Sequence, residues 1–218
     1  MRHRRLLFVS LIASLTISAL LGVASASAYE TALCSKSEMP CSAKNVLPAG
    51  TLIGAGVAPA YEETNFVVEN AGSKWSCDYV LLGAETTAAA GSPLPGQNES
   101  YLNGSLCHAG KNGESSCTTA TLTVPTNVSI ATWGTPGVGA ITFNGAAKEP
   151  FSVAFSCGLG ITCKFGKSAV TMFYDANSLA GLIPSTTLNL ESGPSVLCGS
   201  SAQLSSVLST VGPAISRI

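Results

Sequence analysis

The residues of this chain that could carry out chemistry are few and lie far apart in the sequence. There are two histidines among the 218 residues. One of them stands in the basic leader, so His108 is the histidine that could serve a serine nucleophile as its general base. No Gly-x-Ser-x-Gly motif accompanies it. Because His108 follows a cysteine and precedes a glycine-rich turn, we interpret it as a solvated loop residue and predict no catalytic residue.

Paired carboxylates that flank a glycosidic bond are the second candidate chemistry. Glutamates that could form such a pair are Glu62, Glu63, Glu69, Glu85, Glu99 and Glu149. They are scattered among segments rich in turn residues, and no pattern in the sequence brings two of them together. We interpret them as solubilising surface groups. An extracellular hydrolase of unrecognised type is kept as the alternative function.

Phosphate and metal chemistry have little support in the sequence. Residues 166–168, Gly-Lys-Ser, end like a phosphate-binding loop, but that motif needs a glycine where Ile161 stands. A zinc site needs clustered cysteines and histidines. The chain has no Cys-x-x-Cys pair and no second histidine after the leader. We therefore predict no cofactor and no metal ion.

The cysteines are the clearest constraint on the fold. All eight follow the leader, at Cys34, Cys41, Cys77, Cys107, Cys117, Cys157, Cys163 and Cys198. An even number of cysteines in an exported chain predicts a disulfide framework, here of four bridges.

Local spacing suggests how the cysteines pair. It predicts a Cys34–Cys41 bridge around a short loop and a Cys157–Cys163 bridge across a hairpin. A Cys107–Cys117 bridge around an Asn-Gly turn signal requires a bulge or a loose loop. Subtraction then leaves Cys77–Cys198 as the last pair.

The first 28 residues have the features of an export signal. A basic start, Met1–Arg5, precedes an apolar run at Leu6–Val23 and two small-x-small cleavage sites within residues 24–28. We predict a signal peptide at 1–28 and a mature chain that begins near Tyr29. An uncleaved membrane anchor is the alternative, because about 20 apolar residues span a bilayer. The predicted location is extracellular or in the cell envelope, with no membrane contact after cleavage.

The charge of the chain excludes one class of partner. Lysine and arginine number 11 and acidic residues 12. Cleavage of the leader removes three arginines, so the net charge of the mature chain is more negative than the −1 of the full chain. Its lysines are dispersed and do not form the clustered basic patch of a nucleic-acid-binding protein. We predict no nucleic-acid partner.

The stretch 151–165 is typical of a β-hairpin with one face in a core. Its odd positions are apolar or cysteine, and its even positions are small or polar. Fifteen residues are long for one strand, so the glycines at 158 and 160 predict a turn. With Gly160 at the midpoint, Cys157 lies opposite Cys163.

Other short segments alternate in the same way between turn signals. Candidate strands run over 51–57, 65–69, 75–82, 118–124, 127–133, 140–143, 169–174, 187–191 and 195–198. Residues 84–100 are rich in Ala, Gly, Pro and Thr, and we interpret them as a surface loop or linker. Short strands at this spacing predict an all-β fold, an antiparallel sandwich or barrel stapled by disulfides.

Two features of the organisation have alternative readings. We predict an N-terminal disulfide-looped segment at 29–63 and a β-sandwich domain at 64–218. Residues 72–79 and 158–165 share a Gly-x-x-apolar-Ser/Thr-Cys-x-aromatic pattern, so a subdivision near residue 145 into two related β-units is possible. In the tail, apolar residues at 204, 207, 208 and 211 fit a short C-terminal helix. The serines and threonines between them are mediocre helix formers, and a final strand that closes the sandwich is the alternative.

The layout of cysteines resembles that of a known group. The sequence Trp75-Ser-Cys77, the late Cys198 and the stretch 151–165 between them are similar to a group of uncharacterised, secreted, cysteine-containing β-rich proteins of actinobacteria. The resemblance covers most of residues 64–210 and consists of layout and cysteine spacing. It implies export and a strand after the last cysteine, and it transfers no site residue.

Exposed aromatic residues are the remaining indication of binding. Trp75 alternates with Cys77 and is predicted to lie in the core. Trp133, Tyr101 and Tyr61 stand beside glycine or proline turns, where they either pack over the ends of the sandwich or contact a ligand. The favoured function is a non-catalytic structural or binding domain of unknown ligand. Candidate partners are cell-wall or extracellular glycans or proteins, bound on loops such as 84–116.

Overall fold

The computed structural model describes residues 29–57, 65–70, 73–103, 107–109, 117–145, 149–157 and 160–218. Strands make up 65% of the structure, and the fold is antiparallel and all-β, as predicted. The predicted signal peptide at 1–28 lies outside the described residues. Among the residues that the structure describes, no helix is long and apolar enough to cross a bilayer.

The elements are as follows. In chain order the strands are β1 (Thr31–Cys34), β2 (Leu52–Val57), β3 (Asn65–Asn70), β4 (Ser73–Cys77), β5 (Val80–Thr86), β6 (Ala90–Gly91), β7 (Leu94–Asn98), β8 (Tyr101–Leu102), β9 (Cys107–Ala109), β10 (Cys117–Thr123), β11 (Asn127–Thr132), β12 (Val138–Asn144), β13 (Phe151–Cys157), β14 (Ile161–Lys167), β15 (Ala169–Asp175), β16 (Ala180–Ser192), β17 (Ser201–Val211) and β18 (Ala214–Arg217). One short helix, α1 (Ser195–Cys198), lies between β16 and β17.

Eight strands close into an antiparallel barrel. Their order is β16-β15-β12-β11-β7-β5-β2-β17, and the pairing of β17 with β16 closes the ring. Ile130, Ile141 and Met172 are register neighbours on three of these strands and are fully buried. An eight-stranded barrel is just wide enough for side chains to fill its interior. Alternate residues of each barrel strand therefore point into the interior, and the residues between them lie on the outer face.

The two longest strands, β16 and β17, extend beyond the barrel and carry a second layered unit. Strands β14, β13 and β10 continue from β16, and β3, β4 and β9 continue from β17. The rings of Trp75 and Phe155 stack between these two flanks, 4.4 Å apart and 16° from parallel. The register of β16 shifts between Ile183 and Thr186, at a proline that cannot donate to the ladder. This bulge bends the strand from one unit into the other.

A small sheet of β18, β1 and β6 covers the barrel beside β11 and β12. Leu33 and Ile215 are buried from this sheet into the common core. Gly139 on β12 permits the close approach, because a Cβ atom there would lie 2.9 Å from Ile215.

Several predicted elements are corrected by the structure. The tail is the strand β17, so the helical reading of residues 201–211 is wrong. Residues 195–198, predicted as a strand, form α1. The prediction of a surface loop at residues 84–100 is wrong, because these residues include the end of β5 and all of β6 and β7. The division into segments 29–63 and 64–218 stays a prediction.

The hairpin of β13 and β14 exists, but its register differs from the predicted one. Phe155 pairs with Cys163 and Cys157 pairs with Ile161, so the midpoint lies one residue before Gly160. Gly160 has a φ of +73°, a value that glycine adopts without a steric penalty. The predicted pairing of Cys157 with Cys163 is therefore wrong.

Three disulfides are defined by their sulfur atoms. Cys34–Cys41 is confirmed. Cys77–Cys107 joins the neighbouring strands β4 and β9, and Cys163–Cys198 joins β14 to α1. The predicted bridges Cys107–Cys117 and Cys77–Cys198 are wrong, because Cys107 lies in a strand directly opposite Cys77. Cys157 is also disulfide-bonded, and the backbone register places residue 117 opposite it.

Candidate functional site

The outer face of the barrel carries a row of apolar side chains. On β11, β12, β15, β16 and β17 the register aligns five outward positions: Ala131, Ala140, Phe173, Leu182 and Val207. The intervening positions of the same strands, such as Met172, point into the barrel core. Alternation alone would place polar residues on a solvated outer face. Within this row Ala140 is buried and Ala131 and Phe173 are half-buried, whereas Leu182 and Val207 are exposed.

Trp133 lies beside this row, directly after the end of β11 and opposite Val138. Its ring lies 4.5 Å from that of Phe173, with 54° between the planes. Trp133 is 52% exposed, Leu182 46% and Val207 41%. We call Trp133, Phe173, Leu182 and Val207 the aromatic face. Large apolar side chains that are exposed singly are normal, whereas a contiguous group of them indicates a contact surface.

The loop that carries Trp133 is held by backbone hydrogen bonds. The N–H of Trp133 donates to the carbonyl of Val138 at 3.2 Å, and the N–H of Gly137 donates to the carbonyl of Ile215 at 2.9 Å. Gly134 and Gly137 have φ values of +80° and +82°, which suit glycine in a tight turn. The β11–β12 connection is therefore anchored both to itself and to β18.

Asn177 adds a side-chain anchor to the same loop. Its Nδ2 donates to the carbonyl of Pro136 at 2.7 Å, and its Oδ1 accepts a hydrogen bond from the Ser37 hydroxyl at 2.6 Å. The amide thus joins the loop of Trp133, the turn after β15 and the N-terminal loop. These bonds fix the loop that holds Trp133 before any ligand binds.

Asp175 places a carboxylate at one edge of the aromatic face. It lies two residues after Phe173 on β15, so both side chains are on the outer face. Its carboxylate accepts hydrogen bonds from the Ser178 hydroxyl at 2.7 Å and from the Asn177 N–H at 2.8 Å. Partial burial raises the pKa of Asp175, but these hydrogen bonds outweigh burial and lower the pKa below its usual value. The group is an anion at neutral pH.

The opposite edge of the aromatic face is lined by hydroxyl groups. Thr142 and Thr171 are register neighbours on β12 and β15, each two residues from the apolar row. Their hydroxyl oxygens lie 3.0 Å apart and share a hydrogen bond. Beside them, the amide of Asn144 donates to the Ser129 hydroxyl at 2.7 Å. The apolar row therefore lies between hydroxyls on one side and a carboxylate on the other.

A second exposed aromatic pair lies elsewhere on the barrel. Tyr79 and Tyr101 meet edge to face with ring centroids 5.8 Å apart, and Tyr101 is 55% exposed. Tyr101 pairs with β5, which is four strands from β15 in the order of the barrel. Tyr101 is as exposed as Trp133, and its register neighbours on β5 and β2 are Leu81 and Gly56.

The acidic candidates that the structure describes lie on the surface. Glu69 forms an ion pair with Lys74 at 3.1 Å, and Glu85, Glu99 and Glu149 are exposed. These four are surface groups, as predicted. Glu62 and Glu63 lie outside the described residues.

The other sequence candidates have mixed outcomes. His108 lies in β9, paired with Ser76, so its assignment to a loop is wrong, and its side chain is outside the described part of the chain. Trp75 is buried in the core, as predicted. Gly166 and Lys167 belong to a strand rather than to a phosphate-binding loop. Tyr61 lies outside the described residues.

Glu38 is the most strongly perturbed acidic group among the described residues. Its carboxylate accepts hydrogen bonds from the Asn45 amide at 2.7 Å and from the N–H and hydroxyl of Ser42 at 2.8 and 2.7 Å. These bonds lower its pKa from 4.5 to about 2. The sulfur atoms of Cys34 and Cys41 lie within 4.8 Å of it, but they form a disulfide and not the thiolates that bind metals. The cluster closes a loop.

Sequence reasoning identified Trp133 and missed Phe173, Leu182 and Val207. The available signal is in β15, where Met172, Phe173 and Tyr174 are apolar in succession. A strand with one solvated face should not carry three such residues in a row. No protein-family model, curated protein or solved structure matches this chain.

Proposed function

We propose that this protein is a non-catalytic, secreted or cell-envelope β-domain that binds its ligand on the aromatic face. The observation that carries this proposal is the exposed Trp133, packed on Phe173 at the end of an aligned apolar row. Aromatic residues in fixed positions are the anchors of binding surfaces, because they bring a large contact area at little entropic cost.

The location outside the cell is part of the proposal. Three disulfides and the lack of a membrane-spanning helix among the described residues are compatible with an extracellular protein. The signal peptide at 1–28 and the relationship to the actinobacterial group stay predictions.

Binding is favoured over hydrolysis by the environment of the carboxylates. A general acid needs a raised pKa, which comes from burial or from a neighbouring negative charge. The carboxylate on the aromatic face, Asp175, has a lowered pKa instead. The four described glutamates considered above are exposed on outer surfaces.

A sedimentation assay tests the proposed function. The mature protein is mixed with an insoluble bacterial cell-wall preparation, and the bound fraction is measured as the amount of wall increases. Trp133→Ala should weaken binding by about 30-fold, the effect of losing an anchor worth about 2 kcal/mol. Tyr101→Ala, at an equally exposed aromatic residue on another side of the barrel, is the matched control and should bind like the wild type. Equal sedimentation of Trp133→Ala and wild type, or no sedimentation of either, would refute the proposal.

A further inference from the structure

We infer that the ligand of the aromatic face is a neutral carbohydrate, an inference that rests on the proposed function and names its ligand class. Three properties of the surface lead to it: its size, its charge and the arrangement of its polar groups around an aromatic ring.

The size of the surface argues against a stable protein partner. Five strands at about 4.8 Å spacing give a width of about 19 Å, and three rows of outward residues about 7 Å apart give a height of about 14 Å. This rectangle has an area of about 270 Å², whereas stable protein interfaces bury about 800 Å² on each partner. The surface instead fits a few units of a chain-like ligand.

The charge of the surface argues against an anionic ligand. The three rows contain the hydroxyl row of Thr142 and Thr171, the apolar row, and the row of Asp175 with its register neighbours Val138 and Ala180. The one formal charge among these described residues is the Asp175 carboxylate. An anionic polymer would meet repulsion and no cation to pair with. A polyol meets no such penalty.

The polar groups suit a ring that has one apolar face and a hydroxyl edge. A sugar ring presents C–H groups from its face and hydroxyls from its edge. Trp133 offers a flat apolar platform whose loop is fixed by Asn177. The Asp175 carboxylate is held in place by hydrogen bonds from Asn177 and Ser178, at the edge of the aromatic face. A sugar hydroxyl that lies over this edge can donate a further hydrogen bond to the carboxylate.

The anchoring of Trp133 also explains how a small surface can bind. Association loses translational freedom and the freedom of every side chain that it immobilises. Because the Trp133 loop is already anchored by Val138, Ile215 and Asn177, the aromatic contact adds little further ordering. We expect a modest affinity for one short stretch of ligand. The repeated units of a polysaccharide raise the overall avidity through multivalency.

The test uses three forms of the same cell-wall preparation: untreated, oxidised with periodate to cleave vicinal diols, and digested with a protease. The inference predicts that periodate lowers the Trp133-dependent binding at least tenfold and that protease leaves it unchanged. A soluble neutral polysaccharide should compete for binding, and polygalacturonate should not. Leu182→Ser should weaken binding several-fold, which provides a second variant on the same face, and Tyr101→Ala remains the control.

The outcomes separate this inference from the proposed function. If protease abolishes the Trp133-dependent binding and periodate does not, the ligand is a protein; the carbohydrate inference is then overturned while the binding function stands. If polygalacturonate alone competes, the ligand is anionic and the inference is again overturned. If Trp133→Ala binds as the wild type does, the proposed function itself fails. Thermal melting of each variant shows whether a loss of binding comes with a loss of folding.

Discussion

Strands β16 and β17, with α1 between them, form a long hairpin that the Cys163–Cys198 disulfide ties to β14. Removing this disulfide tests how much the bridge stabilises the hairpin. The bridge closes a separation of 35 residues, and the loop-closure relation assigns such a bridge about 3.8 kcal/mol of stability. The Cys34–Cys41 bridge closes a separation of 7, which corresponds to about 2.4 kcal/mol. Cys163→Ala/Cys198→Ala should therefore lower the free energy of unfolding by about 1.4 kcal/mol more than Cys34→Ala/Cys41→Ala does.

The loss of stability should be concentrated at α1. Helix α1 is short, and its Val196 is 95% exposed while Cys198 is buried. The disulfide and a hydrogen bond from the Asn70 amide to the carbonyl of Cys198 are its anchors. Without the bridge, the backbone amides of residues 197–199 should exchange hydrogen faster.

Urea unfolding under oxidising conditions and hydrogen exchange measure both effects. The aromatic face lies at the start of β16 and α1 follows its end, so cell-wall binding should be retained by the double variant. The account of the hairpin would be refuted if the free energy of unfolding fell no more than it does in the Cys34→Ala/Cys41→Ala control. Unchanged amide hydrogen exchange at residues 197–199 would refute it as well.

Three further predictions concern single side chains. The pKa of Glu38 is lowered from 4.5 to about 2. The ionised carboxylate therefore stabilises the fold above about pH 4.5, and this contribution is lost as pH falls toward 2. Glu38→Gln should flatten this part of a urea-unfolding pH profile, and an unchanged profile would contradict the assignment. Tyr174 is buried and donates to the Pro213 carbonyl at 2.9 Å, so Tyr174→Phe should cost about 0.5–1.5 kcal/mol in urea unfolding, and a neutral result would show that the bond contributes nothing. Asn177→Ala should weaken cell-wall binding several-fold by loosening the Trp133 loop, whereas its melting temperature should fall by only a few degrees; equal affinity would mean that the loop needs no such anchor.

Alternation in the sequence was enough to predict the fold class. Segments such as Thr118–Val124 and Asn127–Thr132 alternate clearly because one face of each lies in a core. The short strands β6 and β7 could not be found in this way. Their residues are mainly Ala, Gly and Pro, and their pairing depends on β1, β5 and β11, which are distant in the chain.

Register and disulfide pairing were the least predictable features. A shift of one residue moved the midpoint of the β13–β14 hairpin and with it the partner of Cys163. Turn glycines do not determine such a shift, because more than one loop length is compatible with two glycines. The partner of Cys163 is placed by the short helix α1, for which the sequence has no capping signal.

The aromatic face could be predicted only in part for a related reason. Trp133 stands beside a turn, and its exposure could be suspected from that position. Phe173, Leu182 and Val207 become neighbours through pairings of strands β15, β16 and β17. Their alignment is a property of strand register, which the alternation in a single sequence does not reveal.

The most direct test of the central claim is to locate the bound ligand on the protein. Soluble glycan fragments released from the cell wall by enzymatic digestion are titrated into the isotope-labelled mature protein, and changes in backbone amide NMR signals are mapped. We predict saturable changes at Trp133, Phe173, Leu182 and Val207, with the signals around Tyr101 unchanged. Changes that cluster around Tyr101, or a Trp133→Ala variant that gives the same map as the wild type, would contradict the claim that the aromatic face is the binding surface.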